Sequence, residues 1–307
     1  MRPDPSKTTR ETNHARTSKV PKPSWLRVPF PRGSTYERIK RIVRENGLHT
    51  VCQAAACPNL GECWSHGTAT FMILGDVCTR NCSFCGVPSG MPGTLERDEP
   101  IRVAHAAAAM GVKHVVVTSV TRDDLPDGGA SIFSETIRQV RKENPHARTE
   151  VLIPDFKGDD GALRHVLDSP VEIVAHNVET VPRLYSSLRP QAGYARSVHL
   201  IHRLKQLDPG VVTKSGFMVG LGETWKELTE VMKDLFHVGC NVLTIGQYLR
   251  PGKDHHPVIR YYLPTEFESL KEAARDIGFR EVMSGPLVRS SYRADQLGSM
   301  LHRVNVT

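Results

Sequence analysis

The sequence predicts an α/β protein built on a partial, open, six-stranded parallel β/α barrel with N- and C-terminal extensions. Three observations predict it. From residue 69 onward, short apolar runs alternate six times with longer helical patterns, and strands joined by helix-length connections pair in parallel. Val115–Val117 and Val171–Val174 read as buried parallel strands. Polar and glycine-rich clusters follow the predicted strand ends, where sheets of this kind place their active residues. Six units fall short of the eight that close a barrel.

Residues 1–35 form a basic, proline-rich, partly disordered tail, with eight basic residues, two acidic ones and six prolines. The tail thus carries +6 of the net charge of +7, leaving +1 for the rest of the 307-residue chain. A basic tail steers toward acidic partners, while a nearly neutral body excludes a nucleic-acid groove. Residues 36–68 form an N-terminal extension, in which a helix over Tyr36–Asn46, capped by Ser34 or Thr35, precedes a cysteine-rich loop from Cys52 to Trp64. Residues 69–283 are the barrel. Its strands are Thr70–Leu74, His114–Ser119, Glu150–Pro154, Val171–His176, Thr213–Val219 and Val242–Gln247. Its helices lie near Pro100–Met110, Ala130–Glu143, Asp160–Leu167, Ala195–Leu207, Thr224–Val238 and Thr265–Ile277. Residues 284–307 are a C-terminal segment. No run approaches the roughly 20 apolar residues of a membrane span, and the N-terminus lacks the apolar core of a secretory signal. The expected location is cytoplasmic, with no membrane partner.

The chemistry concentrates in six of the seven cysteines, spaced Cys52-x4-Cys57-x5-Cys63 and Cys78-x3-Cys82-x2-Cys85. Clustered cysteines in a protein that is not secreted are metal ligands or catalytic groups more often than disulfides. Structural zinc takes four Cys or His ligands; here each triplet lacks a fourth thiol, although His66 can complete one and Cys240 is distant. Two triplets suit two 4Fe–4S clusters, each with one iron left free by cysteine. A zinc-binding interaction module is the alternative.

The second triplet, with Phe84 before its last cysteine and a place directly after the first predicted strand, resembles the signature of the radical S-adenosylmethionine superfamily. The resemblance implies that Cys78, Cys82 and Cys85 hold a 4Fe–4S cluster whose open iron chelates S-adenosylmethionine. Asp127-Gly128-Gly129 is similar to that superfamily's glycine pair, and Gly216-Phe-Met-Val-Gly220-Leu-Gly-Glu223 to the element that shapes the adenine side. The resemblance also implies that Asn177 and Glu179 stand where they could hydrogen-bond a ribose.

The first triplet, in Cys52-x4-Cys57-Pro-Asn59-x-x-Glu62-Cys63-Trp64, resembles the lipoyl synthase family. So do Arg122-Asp-Asp124, His176-Asn-x-Glu179-Thr, Gln247-Tyr-Leu-x-Pro251 and Arg289-Ser-Ser-Tyr292, over about residues 22 to 293. Residue 293 is Arg where many relatives have His. The resemblance implies that Cys52, Cys57 and Cys63 hold an auxiliary 4Fe–4S cluster with Ser291 on its fourth iron, a harder and more labile ligand than thiolate. It also implies the reaction, which is radical insertion of two sulfurs, taken from that cluster, at C6 and C8 of a protein-bound octanoyl-lysine chain. Each lipoyl group consumes two S-adenosylmethionines. The implied partners are an octanoylated lipoyl carrier protein or domain and a low-potential electron donor such as ferredoxin or flavodoxin. Another radical sulfur-inserting enzyme, biotin-synthase-like or methylthiolating, is the alternative within the superfamily.

Four further features are less specific. Cys240 reads as core, and His255 and His256 as loop or cavity residues. Arg122, Asp123 and Asp124 sit at a strand end, lining the cavity or pairing as ions. Arg289 either supports Ser291 or neutralises a cofactor carboxylate.

Overall fold

The structure, a computed structural model, describes residues 21–28, 32–66 and 68–294. One sheet runs through them in chain order: β1 (His49–Thr50), β2 (Thr70–Ile73), β3 (His114–Ser119), β4 (Arg148–Leu152), β5 (Ile173–Ala175), β6 (Val212–Val219), β7 (Val242–Gln247) and β8 (Glu281–Gly285). β1 is antiparallel to β2, and every later neighbour is parallel. The strand order is linear from β1 to β8, so the sheet curls as an open barrel.

The predicted strands are β2 to β7, and the sheet gains one strand at each edge. The count of six therefore becomes eight. β8 escaped notice because Glu-Val-Met-Ser-Gly is short and half polar; it forms because β7 offers an unpaired edge and helix α10 (below) lies beside it.

The helices are α1 (Ser34–Glu45), α2 (Val51–Ala54), α3 (Leu60–Ser65), α4 (Glu99–Met110), α5 (Ala130–Glu143), α6 (Asp160–Leu167), α7 (Tyr185–Leu188), α8 (Tyr194–Leu207), α9 (Trp225–His237) and α10 (Pro264–Ile277). Neither Ser34 nor Thr35 caps α1: both lie inside it, and Gly33, at φ 115°, is the N-cap. Thr224 forms a capping box with Glu227 at the start of α9. The cysteine-rich stretch is two short helices, α2 and α3, rather than a loop. Most of the expected basic tail, residues 1–20 and 29–31, lies outside the described residues. Within residues 21–28, Leu26 is buried, so that part of the tail packs on the body.

Inside the barrel, Lys214 Nζ meets Glu150 Oε1 at 2.8 Å, and His114 Nε2 meets Glu150 Oε2 at 3.1 Å. Burial opposes the charge on Glu150, but Lys214 and His114 hold its carboxyl below the ordinary range. Glu150 lies two residues short of Leu152 on β4, so this ion pair forms a polar floor beneath the strand ends. Among the described residues no helix is long and apolar enough to cross a membrane.

Candidate active site

The second cysteine triplet sits in the loop that leaves β2 through Leu74 (φ 70°) and Gly75 (φ 92°). The neck of the loop closes by Cys78 N donating to Pro88 O and Gly90 N to Cys78 O. The Cys78 sulfur accepts from the backbone N–H groups of Thr121 at 3.3 Å and Arg80 at 3.4 Å. Between Cys78 and Cys82, buried Arg80 forks onto Asp123 (2.7 and 2.9 Å) and reaches Asp155 at 2.6 Å. The loop is thereby tied to the ends of β3 and β4. Burial opposes both charges, yet the contacts with Arg80 hold the Asp155 carboxyl well below the carboxylate range. From the opposite side, His256 N donates to Ser83 O, and His255 Nε2 lies 2.9 Å from Cys85 O. The two histidines are fasteners of the triplet loop.

Two cavities of about 200 Å³ each adjoin at the carboxyl ends of the strands. Cys78, Cys82, Phe84 and Cys85 line one; Cys52, Cys57, Thr70, Ser290 and Ser291 line the other. Val51, Leu152, Asn177 and Glu179 line both and make the wall between them. Cys63, on α3, is not among the lining residues of either cavity but is close enough to Tyr292 to raise its phenol after burial and Glu62 have done so.

A row of alternating charge crosses this wall. Burial pushes up the thiols of Cys82 and Cys57, and Arg189 opposes the shift at Cys82 as Arg289 does at Cys57. Burial likewise raises the carboxyl of Glu179, which both arginines pull back down. Cys85 is pushed up to about 12 and Cys52 to about 11, chiefly by burial. Glu179 holds a left-handed backbone (φ 65°), braced by Glu179 N donating to Gly216 O and Met218 N to Glu179 O. Arg289 thus faces the Cys57 thiol and the Glu179 carboxylate.

The donor sets suit iron–sulfur clusters. All seven cysteines are free of disulfides; Cys52 is buried and the other five of the two triplets are half-buried. Cys52 and Cys57 line one cavity and Cys78, Cys82 and Cys85 the other, soft ligands of the type such clusters take, although among the described residues they are not gathered into a closed metal site. On the Cys78 side, Ser119 Oγ, Asn177 Oδ1 and Arg189 Nε are buried without a partner, a polar lining that fits a zwitterionic molecule such as S-adenosylmethionine. On the Cys52 side, Thr70 Oγ1 donates to Ser291 Oγ at 2.8 Å, and Asn177 Nδ2 donates to Ser290 Oγ at 2.6 Å. Ser291 shares a cavity with Cys52 and Cys57 although more than 200 residues separate them.

Other predicted residues stand further back. Gly128 (φ 61°) and Gly129 (φ 90°) make the turn into α5, with their N–H groups bonded to Leu125 O and Asp127 Oδ1. A Cβ on Gly129 would sit 2.3 Å from Leu74. Glu223 spans the N–H groups of Gly220 (2.6 Å) and Leu221 (2.8 Å) and accepts from Tyr262 Oη, which fixes the loop after β6. Arg122 pairs with Asp124 and anchors Leu74 O and Gly93 O. Cys240 is buried and hydrogen-bonded to Val242 O, as a core thiol.

Sequence reasoning missed Arg80, Asp155, Arg189 and Thr70. A charged residue between two cysteines of the second triplet was a readable signal for Arg80; the others carry no local pattern.

Comparison with known proteins now bears on these pockets. The description "Radical SAM superfamily" matches residues 72–235, and "N-terminal domain of lipoyl synthase of Radical_SAM family" matches residues 3–57. A lipoyl synthase of Koribacter versatilis is 54% identical over 288 residues, covering 94% of this chain and 95% of the relative. One from Rubrobacter xylanophilus is 55% identical over 275 residues, covering 90% and 86%. The chain belongs to the lipoyl synthase family. The family match begins at residue 3 and so takes in most of the tail, which the motifs, starting at about residue 22, had left out. Membership brings S-adenosylmethionine and a 4Fe–4S cluster, and it sets aside the zinc-module and biotin-synthase-like readings. Among solved structures, methylornithine synthase superposes with a TM-score of 0.53 at 14% identity, covering 90% of this chain and 89% of that one. Streptococcus suis SuiB bound to S-adenosylmethionine gives 0.54 at 10% identity, covering 73% and 53%. Both likenesses are of fold.

Proposed function

We infer that the two cysteine sets serve one reaction from adjoining pockets. Cys78, Cys82 and Cys85 hold the 4Fe–4S cluster that binds S-adenosylmethionine; Cys52, Cys57, Cys63 and Ser291 hold a second, auxiliary 4Fe–4S cluster. The enzyme inserts sulfur at C6 and C8 of an octanoyl chain to give the lipoyl group. The observation that carries the two-cluster reading is the shared wall of Val51, Leu152, Asn177 and Glu179, from which both donor sets are reached. Its apolar members, with Phe217 and Met218, suit an alkyl chain lying between them.

C6 and C8 are unactivated carbons, so no side-chain base removes their protons and hydrogen-atom abstraction is required. When bound, the first cluster supplies the electron that cleaves S-adenosylmethionine, and the second supplies the sulfur. The protein contributes placement, counter-charge and dryness. Phe84 and Asn177 line the pocket for S-adenosylmethionine, with Arg189 beside Cys82 offsetting negative charge. Arg289 does the same for Cys57. Gly128, Gly129, Gly220 and Glu223 act from behind, by fixing the turns that frame the pocket. The extension 36–68 and the segment from residue 284 bring the auxiliary donors to the barrel 69–283. The substrate is an octanoylated lipoyl carrier protein or domain, the reductant a low-potential donor of the ferredoxin or flavodoxin type, and the setting cytoplasmic.

The test is to incubate the reduced, reconstituted protein with S-adenosylmethionine and an octanoyl-lysine peptide. A mass gain from two sulfurs is expected. Release of 5′-deoxyadenosine without sulfur insertion would overturn the assignment.

A further inference from the structure

Ser291 lies in a turn outside the barrel strands, where Tyr292 N donates to Arg289 O at 3.0 Å and Ala294 N to Ser291 O at 3.3 Å. Side chains from elsewhere hold that turn. Asn59 Nδ2 donates to Leu287 O at 2.6 Å. Glu62 accepts from Tyr292 Oη at 3.0 and 3.1 Å and from Arg293 Nη2 at 2.8 Å. Asn59 and Glu62 lie three residues apart at the start of α3, so they project from one side of it. They grip the C-terminal segment at Leu287 and at Tyr292, on either side of Ser291.

We propose that Glu62 is a positioning residue for Ser291, clasping the serine turn to the helix that carries Cys63, so that the cysteine and serine ends of the auxiliary donor set move as one body. The proposal rests on the auxiliary-cluster reading above. The two contacts of the clasp differ in weight. The Arg293 pair is solvent-exposed, with side-chain exposures of 50% for Arg293 and 36% for Glu62, and such pairs contribute little. The Tyr292 hydroxyl is the better-shielded partner, and a glutamine oxygen still accepts from it, though more weakly than a carboxylate does. The hydrogen bond, rather than the charge, therefore carries the clasp.

Three variants of the full chain test this. In metal-free protein, Glu62→Ala and Tyr292→Phe accelerate amide exchange at residues 287–293, whereas Glu62→Gln does not. After anaerobic reconstitution, Glu62→Ala and Tyr292→Phe speed iron loss to a chelator from the auxiliary cluster about ten- to a hundredfold, the usual weight of a partner behind a metal ligand. Glu62→Gln stays within about fivefold, as the loss of an exposed ion pair predicts. Iron in the Cys78 cluster is unaffected, and 5′-deoxyadenosine release persists while sulfur insertion falls. Tyr292→Phe removes a single oxygen, which keeps the test decisive if Glu62→Ala misfolds. Unchanged exchange in both Glu62→Ala and Tyr292→Phe, or equal acceleration of iron loss from the two clusters, would overturn the clasp. A chain with Cys78, Cys82 and Cys85 all changed to Ala that holds no iron would instead overturn the auxiliary-cluster reading beneath it.

Discussion

Ser291, proposed as the oxygen ligand of the auxiliary cluster, has neighbours that make a specific outcome expected. Its Oγ accepts from Thr70 Oγ1 in the cavity of Cys52 and Cys57. Oxygen is a harder ligand than thiolate and is given up more readily by iron–sulfur iron. Ser291→Cys therefore strengthens that corner: sulfur transfer drops while 5′-deoxyadenosine release stays measurable, which product analysis of one reaction mixture resolves. Equal loss of both would contradict the role. His176 supplies a prediction in pH. Burial, aided by Arg189, lowers its pKa from 6.5 to about 4, and its ring nitrogens face Ile153 O and Ser197 Oγ. Below pH 6.5 the unfolded chain binds a proton that the folded chain refuses until about pH 4. Stability is therefore present above 6.5 and is lost as pH falls toward 4, by about 3 kcal/mol in all. His176→Gln removes that part of the slope, as urea midpoints of the metal-free protein at pH 7 and 5 should record. The two cysteine triplets were legible as motifs because their spacing is local. Arg189 and Thr70 were not, because they gain meaning only from what folding sets opposite them.

Elements that the sequence marked clearly were those with one dominant period. β3 and β7 coincide with the predicted runs, and α5 and α6 with the predicted helices. β8 was hidden because an edge strand of mixed polarity has no period to read. α1 was found, but its start was misread: Ser34 and Thr35 are cap formers by type, yet Gly33 takes the capping position. The close approach of β7 to the C-terminal segment was equally illegible. Gly246 pairs with Gly285, and a Cβ at Gly246 would lie 2.1 Å from the backbone oxygen of Val288. Backbone cannot rotate away as a side chain can, so Gly246→Ala must push residues 288–291 off the end of β7. The expected cost is about 1–3 kcal/mol, typical of overpacking. The expected functional signature is loss of sulfur insertion with 5′-deoxyadenosine release retained. A variant of wild-type stability that inserts sulfur normally would show that the strand end does not set the position of that segment.

At the scale of the molecule, the barrel brings side chains from three separate stretches to adjoining cavities: Cys52 and Cys57, Cys78 to Cys85, and Ser291. The open sheet and the helical alternation could be read from apolar spacing. The adjacency of the two cavities could not, because it depends on the curl of the sheet and on Val51, Leu152, Asn177 and Glu179 meeting at one wall. That wall, with Arg189 and Arg289 both acting on Glu179, lies between the two cavities. The central claim is that each triplet holds its own cluster independently of the other. It is tested most directly by counting iron and acid-labile sulfide, after anaerobic reconstitution, in three proteins: the unaltered chain, one with Cys52, Cys57 and Cys63 changed to Ala, and one with Cys78, Cys82 and Cys85 changed to Ala. The account predicts about eight irons and eight sulfides for the first and about four of each for either variant. Four irons in the unaltered chain, with none left in one of the variants, would contradict it.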